Sequence, residues 1–401
     1  MDRNGKTVQV FVCDYTPDLN YTLIPHMVSE IHTATKERFP TAVLHRFRRD
    51  EKQDFQFFQH LYKLHKQQQP FLLIDINGVQ SFIFKGEDFV PNRLSFFTDG
   101  PFTILKRLKG LQATTCMSYS DRTHDRVLDD FGIGNPKFFL PHFGASPTDN
   151  PLPMAERDIG LLFVGQVRAP RPTGSFSSIF GASTDEKWIK IFDQAGEQAQ
   201  FENTAPYDAV MAACDDFDME PFKTLGDDQF AELLSHFSSW VEFQNRNRLL
   251  KSMAGLGLHI VGPAFDEVKG ITDADFTFHG LQKAAGVLDF LGRSRVLLNS
   301  ISVFPEGSHE RLWHGAAAGT VLATDRSRYL EEYFKDGQDI AYLDYRDNSQ
   351  AERLDDLAQD IGRLQSMSDN SSRIYAAHHT PRHRMQTAFD FLEQQGRLDH
   401  Q

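Results

Sequence analysis

The chain has 401 residues, a length that calls for two cores of ordinary domain size. A hydrophobic fraction of 40% and a charged fraction of 24% are those of a folded globular protein and exclude a disordered or fibrous chain. A formal net charge of −13 argues against a protein that gains affinity by neutralising a phosphate backbone, so no nucleic-acid partner is expected.

In chain order, the apolar run at 8–13 predicts a strand, and the spacing of Met27, Ile31 and Ala34 predicts a helix over 25–38. A strand at 41–47, a helix at 55–67 and a strand at 71–76 follow. Further strands are expected at 94–98, 114–119 and 137–140, the last running into a Pro141-His142-Phe143-Gly144 turn. Residues 145–157 hold Pro147, Pro151 and Pro153 among polar residues and read as a hinge. A second alternating series starts at 159–164. Its first crossover is long, with a Pro/Gly/Ser stretch at 169–183 and then helical patterns, of which 230–253 is the most continuous. Strands resume at 258–261, 276–279, 296–298, 320–323 and 340–342, and a last helix covers 383–394.

Strands alternating with helices predict an α/β protein: two Rossmann-like doubly wound parallel-sheet domains facing a cleft, with a helical insertion in the second. The expected divisions are 1–150, 151–382 and a C-terminal helix at 383–401 that crosses back to the first domain. Cys13, Cys116 and Cys214 have neither metal spacing nor an evident pairing and read as small buried residues of a reducing compartment. The first residues lead straight into a strand, without the apolar run of a signal peptide. No stretch reaches the roughly 18 apolar residues of a membrane span. The expected location is cytoplasmic, without a membrane span.

The most informative segment is 296–325: a buried strand, a polar loop at 299–308, a short helix at 309–318 and a second strand. A glycine-containing loop that opens a helix beside parallel strands presents free backbone N–H groups and a helix dipole to an anion. Glu306 in the loop can accept hydrogen bonds from sugar hydroxyls, and Gly307 and Ser308 complete the turn. Arg311, in the first helical turn, supplies a fixed positive charge. A carboxylate for hydroxyls beside amides and a guanidinium for phosphates suits a nucleotide-sugar.

The same segment resembles the donor signature of the group 1 GT-B glycosyltransferases, which runs Glu-Gly-x-Gly, a helix with a second Glu, then Ala-x-Ala-x-Gly before a Val-rich strand. Glu306-Gly307 fits the first part and Ala316-Ala317-Ala318-Gly319 the last; where the family has its second Glu, this chain has His314. Imidazole forms a single hydrogen bond where a carboxylate grips two ribose hydroxyls. Phe163-Val164-Gly165, His259-Ile260-Val261-Gly262 and Phe278-His279-Gly280 resemble the family's glycine-ended strands. More narrowly, Glu310-Arg311-Leu312-Trp313, Tyr329-Leu330, Phe334-Lys335-Asp336-Gly337, His379-Thr380 and Arg384 are similar to the spore-maturation-type glycosyltransferases. In the first half, Thr98-Asp99-Gly100-Pro101 and Leu140-Pro141-His142 fit the same group.

The resemblance implies an enzyme of hexosyltransferase type that moves a sugar from a nucleoside diphosphate-sugar, a UDP-sugar by expectation, to a cell-surface, spore or glycoconjugate acceptor. It needs neither cofactor nor metal: the diphosphate is held by Arg311, then Arg168, and the donor site is completed by Gly165, Gly262, His279 and Gly280. Arg246 and Arg248 read as a solvated helix face. Asp215, Asp216 and Asp218 read as a solvated face or cap, and His378, His379 and His383 share composition alone with a metal cluster. On the acceptor side, Asp99, before Gly100-Pro101 at the carboxyl edge of the first sheet, is a general base or a turn residue. His142 is its alternative and Asp14 a third. A sugar-nucleotide 2-epimerase and a non-catalytic nucleotide-sugar-binding protein share this architecture and stay open.

Overall fold

Apolar runs of five or six residues separated by helices satisfy their backbone groups by pairing side by side as parallel strands, with both faces covered. The computed structural model describes residues 7–14, 23–47, 51–78, 92–170, 186–347 and 349–398. From residue 171 on, the Pro/Gly/Ser stretch lies outside the described residues. The chain forms two units, one of residues 1–146 with 378–401 and one of residues 147–377.

In the first unit the elements run β1 (Gln9–Asp14), α1 (Ile24–Arg38), β2 (Val43–Arg46), α2 (Glu51–Lys66), β3 (Phe71–Ile76), β4 (Asn92–Phe96), α3 (Pro101–Leu108), β5 (Cys116–Tyr119), α4 (His124–Asp130) and β6 (Lys137–Phe139). The six strands are parallel, in the order β2-β1-β3-β4-β5-β6. Every residue of β3 is buried, as expected of a central parallel strand. Pro25 and Pro101 open α1 and α3, where a missing N–H costs nothing.

The second unit holds β7 (Ile159–Val164), α5 (Glu186–Phe201), α6 (Pro206–Asp216), α7 (Pro221–Leu225), α8 (Asp227–Ser252), β8 (His259–Val261), β9 (Thr277–Phe278), α9 (Ala284–Arg293), β10 (Ser294–Leu298), α10 (Glu310–Ala317), β11 (Val321–Asp325), α11 (Arg328–Glu331), β12 (Ala341–Leu343), α12 (Gln350–Gln359) and α13 (Ile361–His378). Its strands are parallel in the order β12-β11-β10-β7-β8-β9, which reverses direction of winding between β7 and β10. Ligands of such sheets bind outside the carboxyl ends of the strands at that reversal. The long crossover after β7 forms the helical insertion α5–α8. At the opposite edge the buried Arg157 donates to the carbonyls of Leu152, Ser294 and Ala318, tying the entry to β10 and the end of α10 together.

The last helix, α14 (Pro381–Gln394), belongs to the first unit. Met385, Ala388, Phe389 and Leu392 enter the same core as Met27, Val28 and Ile31 of α1. The Phe39 and Phe389 rings meet edge to face at 5.3 Å, and Arg38 pairs with Glu393. Each large apolar side chain buried there contributes about 1.5–3 kcal/mol, so packing outweighs the single ion pair in docking this helix. Among the described residues no helix is long and apolar enough to cross a membrane.

Candidate active site

At the carboxyl edge of the second sheet the parallel pairing continues past the strands. Gly165 N–H donates to Val261, Gly262 N–H to Gly280, Val167 N–H to Pro263 and Phe265 N–H to Val167, all at 2.9–3.0 Å. This stitches the exits of β7, β8 and β9 into one layer and brings Gly165, Gly262 and Gly280 together. Gly262 has φ +146° and Gly280 φ +65°. The Arg168 side chain, by contrast, is half exposed; it lies 3.9 Å from Asp266 and over the Phe265 ring. His279 turns its ring onto its neighbours: Nε2 is 3.0 Å from His259 Nδ1, and the ring packs 4.3 Å from that of Phe290. Burial, then nearby His259, pushes its pKa below the ordinary imidazole value.

Two guanidinium groups lie under the β7 exit. Arg311, 8% exposed, donates through Nη1 to the Val164 carbonyl at 2.7 Å, and its Nη2 and Nε lie 2.9 and 3.2 Å from the two nitrogens of His309. Among the described residues no carboxylate pairs with it. Burial, and then the nearby Arg246, push its pKa down to about 10. Arg246 on α8 is 2% exposed; its Nη1 donates to the Gln166 carbonyl at 3.4 Å and its Nη2 pairs with Glu242. Its Nε is buried without a hydrogen-bond partner among the described residues. The expectation that Arg246 belongs to a solvated face is therefore corrected: it shares the buried face with Phe243 and Leu250, whereas Arg248 is partly exposed over the Phe201 ring. A buried cation with no ion-pair partner is expensive unless an anion joins it.

The loop between β10 and α10 leads into the helix that carries Arg311. Glu306 in this loop is partly exposed, and its carboxylate meets the exposed Arg328 at 2.6 Å. Gly307 is buried, and its carbonyl accepts from Ser327 Oγ at 2.6 Å. Ser308, fully buried, accepts from Trp313 Nε1 at 2.8 Å and so fixes the helix to its own entry. The sequence placed the helix start at 309; the observed first residue is Glu310, with His309 as the cap. α10 is pressed onto the sheet: a Cβ on Gly315 would lie 2.7 Å from Leu297. The same pressure buries His314 completely, with Nδ1 donating to the Glu310 carbonyl at 2.8 Å. This imidazole is buried inside the protein.

Asp325, at the end of β11, organises the other side of the loop. It is 7% exposed and accepts from Ile301 N–H at 2.7 Å, Thr324 Oγ1 at 3.1 Å and Tyr345 Oη at 2.9 Å, and Tyr345 in turn is 2.7 Å from Ser300 Oγ. Burial raises its pKa to about 6, against the partial relief those hydrogen bonds give.

In the first unit Asp99 lies one residue past Thr98 in the turn between β4 and α3, half-buried, with Oδ2 accepting from Asn77 Nδ2 at 2.9 Å. It lines a small recess with Phe97, Ile104, Met117, Tyr119 and His124. His142 is 2% exposed and its Nε2 donates to the Thr98 carbonyl at 2.8 Å, which commits that nitrogen to holding the turn that carries Asp99. His124 is held neutral, its pKa driven to about 3 by burial and by His142. Asp14 is buried at the end of β1, 3.6 Å from Arg46.

Among the described residues no group of three or more His, Cys, Asp or Glu side chains is arranged to hold a metal. Asp215 and Asp216 end α6, where Asp216 accepts from Gln194, and Asp218 follows the helix. His379 is buried with Nδ1 3.2 Å from Arg384 Nη2, and His383 Nδ1 is 2.8 Å from Thr380 Oγ1. Sequence reasoning missed Arg246 and Asp325. The spacing Phe243, Arg246, Leu250, Met253 did carry the signal for the first, since it puts the arginine on the apolar stripe of the helix.

Residues 245–390 match the model of a family described as glycosyl transferase-like. No curated protein sequence matches the chain. Among solved structures the chain is similar to the sucrose-phosphate synthase of Thermosynechococcus elongatus, at 10% identity over 96% of this chain and 99% of that one, with a TM-score of 0.52. It is similar to an alpha-glucosyltransferase in complex with UDP-glucose and DNA containing an abasic site, at 9% identity over 96% and 99% of the two chains, TM-score 0.51. Against TarM of S. aureus the identity is 8% and the TM-score 0.46; the match covers 82% of this chain and only 57% of TarM. The two Rossmann-like units are those of the GT-B fold.

Proposed function

We propose that this chain is a glycosyltransferase whose second unit binds a nucleoside diphosphate-sugar, and that Arg311 and Arg246 hold the diphosphate. The observation that carries the reading is the burial of Arg311 without a carboxylate partner among the described residues, in the first turn of α10 and beneath the glycine-rich exits of β7 and β8. An anion placed there meets two guanidinium groups and the N-terminus of a helix. Burial strengthens each of these interactions, because the effective dielectric around them is far below that of water. The glycosyl transferase-like match over residues 245–390 supports the same assignment.

Transfer needs the leaving diphosphate stabilised as the glycosidic carbon loses it. Arg311, with the Glu242-paired Arg246 beside it, supplies that stabilisation without a metal, so we propose metal-independent transfer. Glu306, in the loop before α10, accepts hydrogen bonds from hydroxyls of the sugar once it leaves Arg328. UDP-sugars are the first donors to test, because the alpha-glucosyltransferase of similar fold is bound to UDP-glucose. Asp99 in the first unit acts as the base on the acceptor hydroxyl, and the acceptor belongs to a cell-surface, spore or other glycoconjugate. A spore-maturation-type role is the narrower form of this proposal.

The test is a thermal-shift and calorimetric screen of UDP, GDP and dTDP with their hexose conjugates. A ligand at about 100 times its Kd stabilises by about 2.7 kcal/mol, which a melting curve resolves. Absence of any shift at millimolar concentration would overturn the donor-site assignment. Conversion of the nucleotide-sugar into its epimer without acceptor would replace transfer by epimerisation.

A further inference from the structure

We infer that Asn77 is the positioning residue that holds the Asp99 carboxylate; this rests on Asp99 being the base of the proposed transfer. β3 ends at Ile76, and Asn77 immediately takes φ +58°, a left-handed conformation that L-residues avoid. Asparagine tolerates it better than most, but glycine takes it freely, so the choice of asparagine calls for a use of its carboxamide. The structure shows that use. Nδ2 donates to Asp99 Oδ2 at 2.9 Å and to Thr98 Oγ1 at 3.1 Å, and Oδ1 accepts from Thr98 N–H at 2.9 Å. The backbone is fixed as well: Asn77 N–H donates to the Phe96 carbonyl at 2.7 Å.

Asn77 is only 6% exposed, so this clamp is shielded from competing water. His142 holds the Thr98 carbonyl from the other direction at 2.8 Å. The Thr98-Asp99 turn is thus fixed through its N–H, its carbonyl and its carboxylate. No other part of the described structure would lose a hydrogen bond from the Asn77 side chain if it were removed, so the clamp serves this turn alone. Backbone strain held at such a point is characteristic of sites where a side chain must be aimed. An aspartate at 77 would bring a second carboxylate to hydrogen-bonding distance of Asp99 and remove the donor; a glycine would keep the backbone and remove the clamp.

Asn77→Gly therefore separates aim from fold, because it relaxes the backbone while deleting the carboxamide. Turnover is read as nucleoside diphosphate release from whichever UDP-, GDP- or dTDP-hexose the parent protein hydrolyses fastest. We expect kcat to fall about tenfold or more, the scale of a lost hydrogen bond to a charged group, with the Kd for the free nucleoside diphosphate unchanged. In an Asp99→Asn background the same substitution should have no further effect, the mark of two residues acting as one unit. Asn77→Asp, which keeps the acceptor for Thr98 N–H, should lose at least as much and serves if the glycine variant folds poorly. Unchanged kcat in Asn77→Gly alongside a loss in Asp99→Asn would sink the Asn77 role and leave Asp99 standing. Equal losses from Asn77→Gly in both backgrounds would likewise sink it. Undiminished turnover in Asp99→Asn would instead remove the reading of Asp99, and this proposal with it.

Discussion

Gly262 and Gly165 approach so closely that a Cβ on Gly262 would lie 2.0 Å from the Gly165 carbonyl oxygen. The two residues follow adjacent parallel strands, and the buried Arg311 packs against the first of them: a Cβ on Gly165 would lie 2.9 Å from Arg311 Nη1. No side chain fits at Gly262, and the obstacle is backbone, which cannot swing aside.

Gly262→Ala should therefore destabilise the protein by more than about 2 kcal/mol and weaken nucleoside diphosphate binding together with it. Gly280→Ala is the comparison: its φ of +65° carries a backbone cost of about 1–2 kcal/mol, but its Cβ would meet nothing within 4 Å. Urea denaturation of the two variants should rank Gly262→Ala as clearly the more damaging. Equal costs would mean that the close approach relaxes easily.

Arg311→Met and Arg246→Met should each weaken UDP binding by about 10–100-fold in calorimetry, since each removes charge-assisted hydrogen bonds worth about 1.5–3 kcal/mol. Arg311→Lys should rescue little, because an ammonium group cannot reach the Val164 carbonyl and a phosphate with one planar fork. Transfer should persist in excess chelator. Loss of activity with chelator, restored by manganese, would return attention to carboxylates outside the proposed donor site.

Glu306→Ala should weaken a nucleotide-sugar about tenfold or more while leaving the free nucleoside diphosphate nearly untouched. Stability should change by less than about 1 kcal/mol, because the Glu306–Arg328 pair that is lost has one strongly exposed partner. Equal losses for both ligands would show a loop fault instead of a lost sugar contact.

Asp325 gives a pH dependence of definite sign. Its pKa in the folded protein, about 6, lies above the ordinary carboxyl value, so the folded state binds the proton more tightly than the unfolded chain. The stabilisation from this proton is fully present below pH of about 4 and is lost as pH rises through about 6. Relative to Asp325→Asn, the parent protein should lose stability on the order of 2–3 kcal/mol between pH 4 and 7. Urea titrations at several pH values measure the difference. Parallel curves would mean that Asp325 titrates as an ordinary carboxylate.

Much of this architecture was legible in the residues. β3 and β7 are short, mostly apolar segments, nearly every residue of which is buried, and their observed limits, Phe71–Ile76 and Ile159–Val164, are those the sequence predicts. β4 starts two residues before the strand the sequence predicts, because Asn92 and Arg93 have the composition of a loop. Arg93 is in fact 2% exposed inside the sheet, where Asp75 of the adjacent β3 pairs with it at 2.6 Å and meets its charge. A strand's own sequence does not announce that partner, which lies 18 residues away.

The same distinction separates the local from the non-local parts of the candidate site. Gly165, Gly262, Glu306 and Arg311 are legible because a turn, a close approach and a helix start are set by a few consecutive residues. That Arg246 lies near the buried Arg311 follows from the approach of α8 to the exit of β7, 80 residues apart at the Arg246–Gln166 hydrogen bond, whereas Arg168, the residue named from the sequence, is half exposed. The complete burial of His314, next to the close Gly315–Leu297 contact, is equally a matter of how α10 settles on the sheet. The sequence by itself determined the alternation of strands and helices and the chemistry available in each loop. Only the tertiary structure decided which charges are stripped of water, because burial and pairing depend on contacts between segments far apart in the chain.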